Sequence, residues 1–232
     1  MRIGILGAMD EEVALLQSSL DNSSTVQHKH LSFCQGTLHG VEIVVVRCGI
    51  GKVAATIATT ILIEQFSPDY VVNTGSAGGF DINLNIGDIV IGTEVQHHDV
   101  DLTHFGYAPG QCAGGLPATY TCDKTLVDAA KKAAVVLEHV QNKTGLICTG
   151  DAFIGSDEAA QRLRSTFAAM KACEMEGAAI GQTCFMLQTP FLVIRSLSDI
   201  AGKTSTVSFQ EYLQTAAKNS AQLVIGMIKA LA

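Results

Sequence analysis

Val41-Glu42-Ile43-Val44-Val45-Val46-Arg47 runs through Cys48-Gly49-Ile50-Gly51 into Lys52–Phe66. The first stretch is β-branched, mostly apolar and short, as a buried strand requires. The two glycines mark a tight turn, and Lys52–Phe66 is a run dominated by small and β-branched side chains with neither Gly nor Pro. That run predicts a long helix buried on most sides. Strand, glycine turn and helix together are the building unit of an α/β protein.

The pattern repeats outward in both directions. Upstream, Leu31–Leu38 and Val41–Arg47 flank His39-Gly40, which reads as a two-residue hairpin turn, although His is not a favoured partner for Gly there. Before them, Asp10–Leu20 spaces Val13, Leu15, Leu16 and Leu20 as a helix does, and Arg2–Gly7 reads as a buried first strand. Downstream, Tyr70–Asn73 and Asp88–Ile91 read as strands, with Thr74–Gly79 as a Gly-rich turn and Gln96–Pro117 as a long loop. Asp123 can cap a helix reaching to about Val140, Leu146–Thr149 is a strand, and Ser156 or Asp157 caps a helix to Phe167. Met175–Leu187 reads as a helix, Pro190–Ser196 as a strand, and Ser208-Phe209-Gln210-Glu211 as a capping box opening the C-terminal helix. With no repeat, low-complexity tract or linker, residues 1–232 read as a single α/β domain with a mixed sheet.

Composition narrows the function classes. The 47% hydrophobic and 16% charged content is the opposite of a disordered chain. The net charge of −7, with no Lys/Arg run, argues against a nucleic-acid binder. The most apolar stretches fall well short of the roughly 18 residues a membrane span needs. Asp10-Glu11-Glu12 interrupts the apolar N-terminus too early for a signal peptide. Seven scattered cysteines without a Cys-x-x-Cys pair, Cys48, Cys148 and Cys184 among them, read as reduced core residues of a cytoplasmic protein.

Several short patterns weigh little on inspection. Gly49-Ile50-Gly51-Lys52-Val53-Ala54 matches a dinucleotide fingerprint, yet the N-terminal strand that usually carries it has Gly4-Ile5-Leu6-Gly7 instead. Thr74-Gly75-Ser76-Ala77-Gly78-Gly79 lacks the first glycine of a nucleophile elbow and reads as a ligand cradle, its backbone N–H groups and the Ser76 hydroxyl facing a bound molecule. His97-His98-Asp99 with Asp101 and His104 has metal-like content without metal-ligand spacing, so no metal is expected and a polar lid or subunit contact is the better reading.

The carboxylates carry more. Glu11 and Glu12 start a helix, where negative charge is ordinarily stabilised. Glu174-Met175-Glu176 also begins a helix, with an apolar residue between two acids. Ser198-Asp199 closes the buried run Phe191–Ser196, the end of a strand where open α/β sheets place ligands. Arg195 lies inside that run, and a buried Arg needs a carboxylate partner. Acids at three such ends in a chain poor in charge favour one catalytic cleft. Cleaving a glycosidic bond uses such a set: an acid for the leaving group, a base for water, and a carboxylate gripping sugar hydroxyls.

These residues also carry a resemblance. Gly4-Ile5-Leu6-Gly7-Ala8-Met9-Asp10-Glu11-Glu12, Ser76, Gly150-Asp151-Ala152-Phe153-Ile154, Glu174-Met175-Glu176, Arg195-Ser196-Leu197-Ser198-Asp199 and Phe209 keep the order and approximate spacing of the bacterial 5′-methylthioadenosine/S-adenosylhomocysteine nucleosidases. The similarity spans nearly the whole chain. It implies a nucleoside-phosphorylase-like fold, three layers with a central mixed twisted sheet flanked by helices, and no metal or organic cofactor.

By the same resemblance, Asp199 is the general acid toward N7 of adenine, aided by Ser198, and Glu12 deprotonates the attacking water near Ser76 and Arg195. Glu176 takes the ribose hydroxyls, Met175 packs under the sugar, Phe153 stacks on adenine, and the Ile154 backbone reads its Watson–Crick edge. Gly78 lies in the substrate cradle, while Met9, Ile50 and Phe209 line the ribose and alkylthio end. The resemblance further implies a homodimer whose neighbouring subunit completes the 5′ pocket with Leu102, Phe105 and Tyr107. Phosphorolytic cousins carry an Arg at the position of Asn73, so water is the expected nucleophile. The lid departs from the family: Cys112-Ala113 and Gly114-Gly115 follow Gly110-Gln111 where a Pro is usual, and Leu102 is bulkier than the usual Val. Both departures bear on the 5′-substituent. The runners-up are a nucleosidase for another adenosine derivative, such as 6-amino-6-deoxyfutalosine, and a purine nucleoside phosphorylase. A non-catalytic nucleoside-binding protein would dispense with Glu12 and Asp199.

Overall fold

The structure, a computed structural model, describes residues 1–137, 140–201 and 205–232, with side chains in the last stretch described from Phe209 onward. The opening unit is as expected: β4 (Val41–Arg47) turns through Gly49–Gly51 into α2 (Lys52–Phe66). Ahead of it lie β1 (Arg2–Gly7), α1 (Asp10–Ser18), β2 (Asp21–His28) and β3 (Leu31–Leu38). The β3–β4 hairpin turns at His39-Gly40, both at positive φ, which suits a tight hairpin and is uncommon but accessible for His. Beyond α2 follow β5 (Tyr70–Gly79), β6 (Ile89–His97), β7 (Tyr120–Thr121), α3 (Lys124–Ala134), β8 (Asn142–Thr149), α4 (Asp157–Thr166), β9 (Met170–Glu174), α5 (Gly177–Met186), β10 (Phe191–Ile200) and α6 (Ser205–Leu231).

All these strands join one mixed sheet. β1 lies parallel between β4 and β5, β3 and β2 extend the sheet antiparallel beyond β4, and β5 pairs in parallel with β10. β10 runs antiparallel to β6, which is parallel to β8, itself parallel to β9. The end of β5 meets β9 through Gly78 opposite Cys173 and Gly79 opposite Ala172. Five strands (β5, β10, β6, β8 and β9) therefore close on themselves, while β1 to β4 form an open wing. This closure collects the ends of β5, β9 and β10 around one spot. Helices α1, α3 and α6 pack together, and α2 packs with α5. The interior is built from apolar residues such as Ile3, Ile5, Phe33, Val45, Leu62, Ile91, Leu126 and Val193. Cys48, Cys148 and Cys184 are buried free thiols within it.

Several expectations are corrected. Thr74–Gly79 is the second half of β5 and not a turn. Its small residues reflect crowding by β10, β9 and the side chains laid across it. β6 extends through Gln96 and His97, so the long loop begins later. The Asp123-capped helix stops at Ala134, and the expected extension toward Val140 crosses residues 138 and 139, outside the described set. Helix α5 starts at Gly177 rather than Met175, because Glu174 still belongs to β9. Helix α6 is already under way at Ser205, so Ser208–Glu211 lies inside it and is not its cap. Helix α2 buries only one side, Ala55, Ala58, Thr59 and Leu62. Its apolar Val53 is 70% exposed, and Ile57 is exposed as well.

Candidate active site

Glu12 is the third residue of α1, and its side chain turns back over the start of the helix. Oε2 accepts from the N–H groups of Ala8 (2.7 Å) and Met9 (3.2 Å), the reach-back half of a capping box. Oε1 accepts from the Ser76 N–H at 2.9 Å and its hydroxyl at 3.0 Å. Four donors thus surround one buried carboxylate. This close approach depends on Gly75, where a Cβ would stand 2.6 Å from both Glu12 Oε1 and Arg195 Nη1.

Arg195 is 1% exposed. Its Nη1 donates to the Ser76 carbonyl at 3.1 Å. Its Nη2 donates to Asn73 Oδ1 at 2.6 Å, to Glu176 Oε2 at 3.2 Å, and in a short contact to Glu174. The expected carboxylate partner of the buried Arg is therefore a pair of acids. Glu174 accepts from the N–H groups of Glu176 and Gly177 and from the Thr149 hydroxyl, so it also caps α5. Glu176 Oε1 accepts from the Gly51 N–H at 2.8 Å. Burial pushes the Glu176 carboxyl up to about 7 against the pull of Arg195.

Asp199 follows an irregularity in β10, whose register against β5 shifts between Leu197 and Asp199. Such a bulge re-aims the side chains that follow it. Asp199 is buried, and burial raises its carboxyl above the usual carboxylate range, opposed by the Ser198 hydroxyl donating to Oδ1 at 3.1 Å. A carboxyl raised in this way is suited to general acid work.

One cavity of about 490 Å³, mouth included, joins these groups. Met9, Glu12, Ile50, Ser76, Gly78, Phe153, Met175, Glu176, Arg195, Ser198, Asp199 and Phe209 line it. Ile154 lines an adjoining lobe shared with Gly78, Phe153, Met175 and Asp199, which Glu12, Glu176 and Arg195 do not reach. Asp199 thus stands, with Glu174, where the lobe of Phe153 and Ile154 meets the lobe of Glu12, Glu176 and Arg195. Phe153 is half exposed at the mouth and meets Phe209 edge to face, ring centroids 6.0 Å apart. Leu102, Phe105 and Tyr107 lie around the short helical turn Thr103–Phe105 and do not line their own chain's cavity. Phe105 is 74% exposed.

The remaining motifs find other uses. The glycine turn offers its N–H groups to carboxylates, Gly51 to Glu176 and Lys52 to Asp151, which leaves no place for a pyrophosphate. His97 bonds Gln182 through Nε2, and Asp99 pairs with Lys52. Among the described residues no three His, Cys, Asp or Glu side chains converge as metal ligands. Sequence reasoning left Glu174 without a role, though its place between a strand and a helix was the available signal. It also passed over Ser220, whose hydroxyl bonds Thr74 Oγ1 at 2.5 Å and accepts from the Gly75 N–H. No sequence pattern marks that residue.

The family model of the phosphorylase superfamily matches residues 2–229. The chain is 54% identical, over the full length of both proteins, to the 5′-methylthioadenosine/S-adenosylhomocysteine nucleosidase of Psychromonas ingrahamii. It superposes with a TM-score of 0.97 on the corresponding nucleosidase of Colwellia psychrerythraea in complex with adenine, at 53% identity, covering 100% of this chain and 96% of that one. The enzyme from Neisseria meningitidis in complex with methylthio-immucillin-A is similar at a TM-score of 0.96 and 46% identity, with 98% of each chain covered.

Proposed function

Because the chain belongs to the phosphorylase superfamily, we propose that its cavity hydrolyses the N-glycosidic bond of 5′-methylthioadenosine and S-adenosylhomocysteine, releasing adenine and the 5-thioribose sugar. The observation that carries water over phosphate is the environment of Glu12. The four donors that could cradle an anion beside Ser76 are taken by the protein's own carboxylate. At the position before the Gly-rich segment, Asn73 serves Arg195 and the Leu6 carbonyl instead of offering a cation.

Adenine lies in the lobe of Phe153 and Ile154, with the raised carboxyl of Asp199 donating its proton to N7 as the glycosidic bond breaks. Ser198 orients that carboxyl. The electrons of the bond leave with adenine, and positive charge develops on the ribose. Water enters beside Glu12 as the Ser76 hydroxyl turns toward it, adds to the anomeric carbon and yields its proton to Glu12. Glu176 accepts from the ribose hydroxyls, Arg195 holds Glu176 in place, and Met175 packs under the ring. Met9, Ile50 and Phe209 take the ribose and 5′ end.

We assign the working unit as a homodimer in the cytoplasm, in methionine salvage and the recycling of S-adenosylmethionine by-products. Support for the dimer comes from exposed apolar residues on two helices that pack together, Val53 and Ile57 of α2 with Phe185 and Met186 of α5, the kind of surface interfaces use. Leu102, Phe105 and Tyr107 then reach the partner's 5′ pocket. Support for the cytoplasm comes from the seven free cysteines. The test is adenine release from methylthioadenosine in phosphate-free buffer. Full turnover without phosphate is expected, and a strict phosphate requirement would overturn hydrolysis.

A further inference from the structure

Outside the acid cluster, three surface-side residues form a closed ring of hydrogen bonds. The Lys52 N–H donates to Asp151 Oδ1 at 2.8 Å, the Asp151 N–H donates to Asp99 Oδ2 at 2.9 Å, and Lys52 Nζ donates to Asp99 Oδ1 at 2.7 Å. Lys52 and Asp151 each contribute both backbone and side chain, so the ring fixes main chain and not merely charge. The Asp99–Lys52 pair is only partly exposed, about a quarter on each side. An isolated pair of that kind contributes little. The geometry matters more than the ion pair, because three separate segments meet in it.

Asp151 precedes Phe153 by two residues, in the loop leaving β8. Lys52 follows Ile50 and Gly51, and Gly51 holds Glu176. Asp99 lies in the loop leaving β6, next to His98, which donates its N–H to the Thr149 carbonyl and lays its ring on Gly150. A Cβ on Gly51 would stand 2.9 Å from Asp151 Oδ1, so the turn must be glycine for the carboxylate to reach the helix start. Within residues 150–155, the described side-chain hydrogen bonds to the rest of the chain are those of Asp151, while Phe153 itself is half exposed.

We infer that Asp99, acting through Asp151 and Lys52, is a positioning residue that locks the base-stacking loop of Phe153 and Ile154 against the turn of Ile50. This rests on the functional reading above, which places adenine in that lobe. Without Asp99, the Asp151 N–H and the Lys52 ammonium lose their common anchor, and the loop samples positions in which Phe153 no longer covers the base. The chemistry at Glu12 and Asp199 is untouched, since neither group contacts the ring. Apparent affinity falls in proportion to the fraction of molecules whose loop is in the binding-competent position.

The experiment compares wild type, Asp99→Ala, Asp99→Asn and Lys52→Met for KM and kcat on methylthioadenosine, for calorimetric affinity toward adenine alone, and for Tm. Asp99→Ala should raise KM and weaken adenine by the same factor, about tenfold where the competent loop position falls to about a tenth of the population, with kcat within about twofold and Tm little changed. Asp99→Asn keeps an oxygen for the Asp151 N–H and should recover most of the loss, and Lys52→Met should fall between them. Unchanged KM and adenine affinity in Asp99→Ala would overturn the proposal, as would a parallel collapse of kcat and Tm, which marks a general scaffold. A wild-type protein that neither turns over methylthioadenosine nor binds adenine refutes the functional reading instead, before any variant is compared.

Discussion

Replacing Glu176 by Gln removes a carboxyl that burial holds at about 7, where an ordinary glutamate sits at 4.5. Below pH 4.5 the folded and unfolded chains both carry this proton. Between 4.5 and 7 the folded chain keeps it and the unfolded chain releases it, so rising pH favours unfolding. Across that interval the native state loses roughly 3 kcal/mol from this group alone, a loss complete by about pH 8. A Gln at 176 has no proton to lose. It can still present its oxygen to the Gly51 N–H, and its NH2 then faces Arg195 Nη2, an offset that does not vary with pH. The raised carboxyl of Asp199 contributes a slope of the same sign, but it is common to both proteins and cancels in the difference. Urea unfolding of wild type and Glu176→Gln, without ligand, at half-unit steps from pH 4.5 to 8.5 reads that difference directly. The variant should gain on wild type by roughly 3 kcal/mol as pH rises from 4.5 to 8, while losing most of its affinity for ribosides. A stability difference that stays flat across this range refutes the claim that burial governs Glu176.

Asp199→Asn should lower turnover by about 10²–10⁴-fold with the circular dichroism spectrum unchanged, and most activity surviving would mean the acid is misassigned. Since burial raises the Asp199 carboxyl, wild-type turnover should decline as pH climbs past that raised value, a limb the Asn variant lacks. Gly75→Ala drives a methyl into Glu12 Oε1 and Arg195 Nη1, both 2.6 Å from its position. It should cost about 1–3 kcal/mol in chemical denaturation and a larger share of kcat than of KM, and wild-type kinetics from this variant would contradict the packing described.

The fold was legible wherever burial imposed one period on the sequence. β1, β4 and α2 read directly because strand and helix there are long, apolar and punctuated by glycine. β2 escaped because every residue of Asp21–Gln27 is exposed, so no alternation survives to mark it. The second half of β5 was misread because Gly75-Ser76-Ala77-Gly78-Gly79 has the composition of a turn. Only the side chains crossing it, from α1 and β10, explain why nothing larger fits. The convergence of the charged residues was legible for the converse reason: they are scarce, Glu12, Glu176 and Asp199 sit at element ends where a core has no use for them, and Arg195 inside β10 needs acid partners. Glu174 shows the limit of that reasoning, since one carboxylate both caps a helix and neutralises Arg195, and a sequence does not reveal such double service. The ring of Lys52, Asp99 and Asp151 lay beyond it too. Its members are separated by 47 and 52 residues, and two of its three bonds depend on backbone direction.

The charge balance of the cavity ties the choice of nucleophile to the chemistry of the sugar. Four carboxyls, those of Glu12, Glu174, Glu176 and Asp199, face one guanidinium. Even with Glu176 and Asp199 both protonated, the two remaining acids outnumber Arg195. A phosphate dianion entering such a space meets repulsion at low dielectric, with the nearest hydrogen-bond donors already committed to Glu12. A ribose acquiring positive charge meets the opposite, an attraction already oriented before the bond breaks. Water, being neutral, is indifferent to the field that repels phosphate. On the proposed mechanism, the same excess of acid that repels the phosphorolytic nucleophile stabilises the cationic transition state, so hydrolysis in this cavity needs no separate device to keep phosphate out.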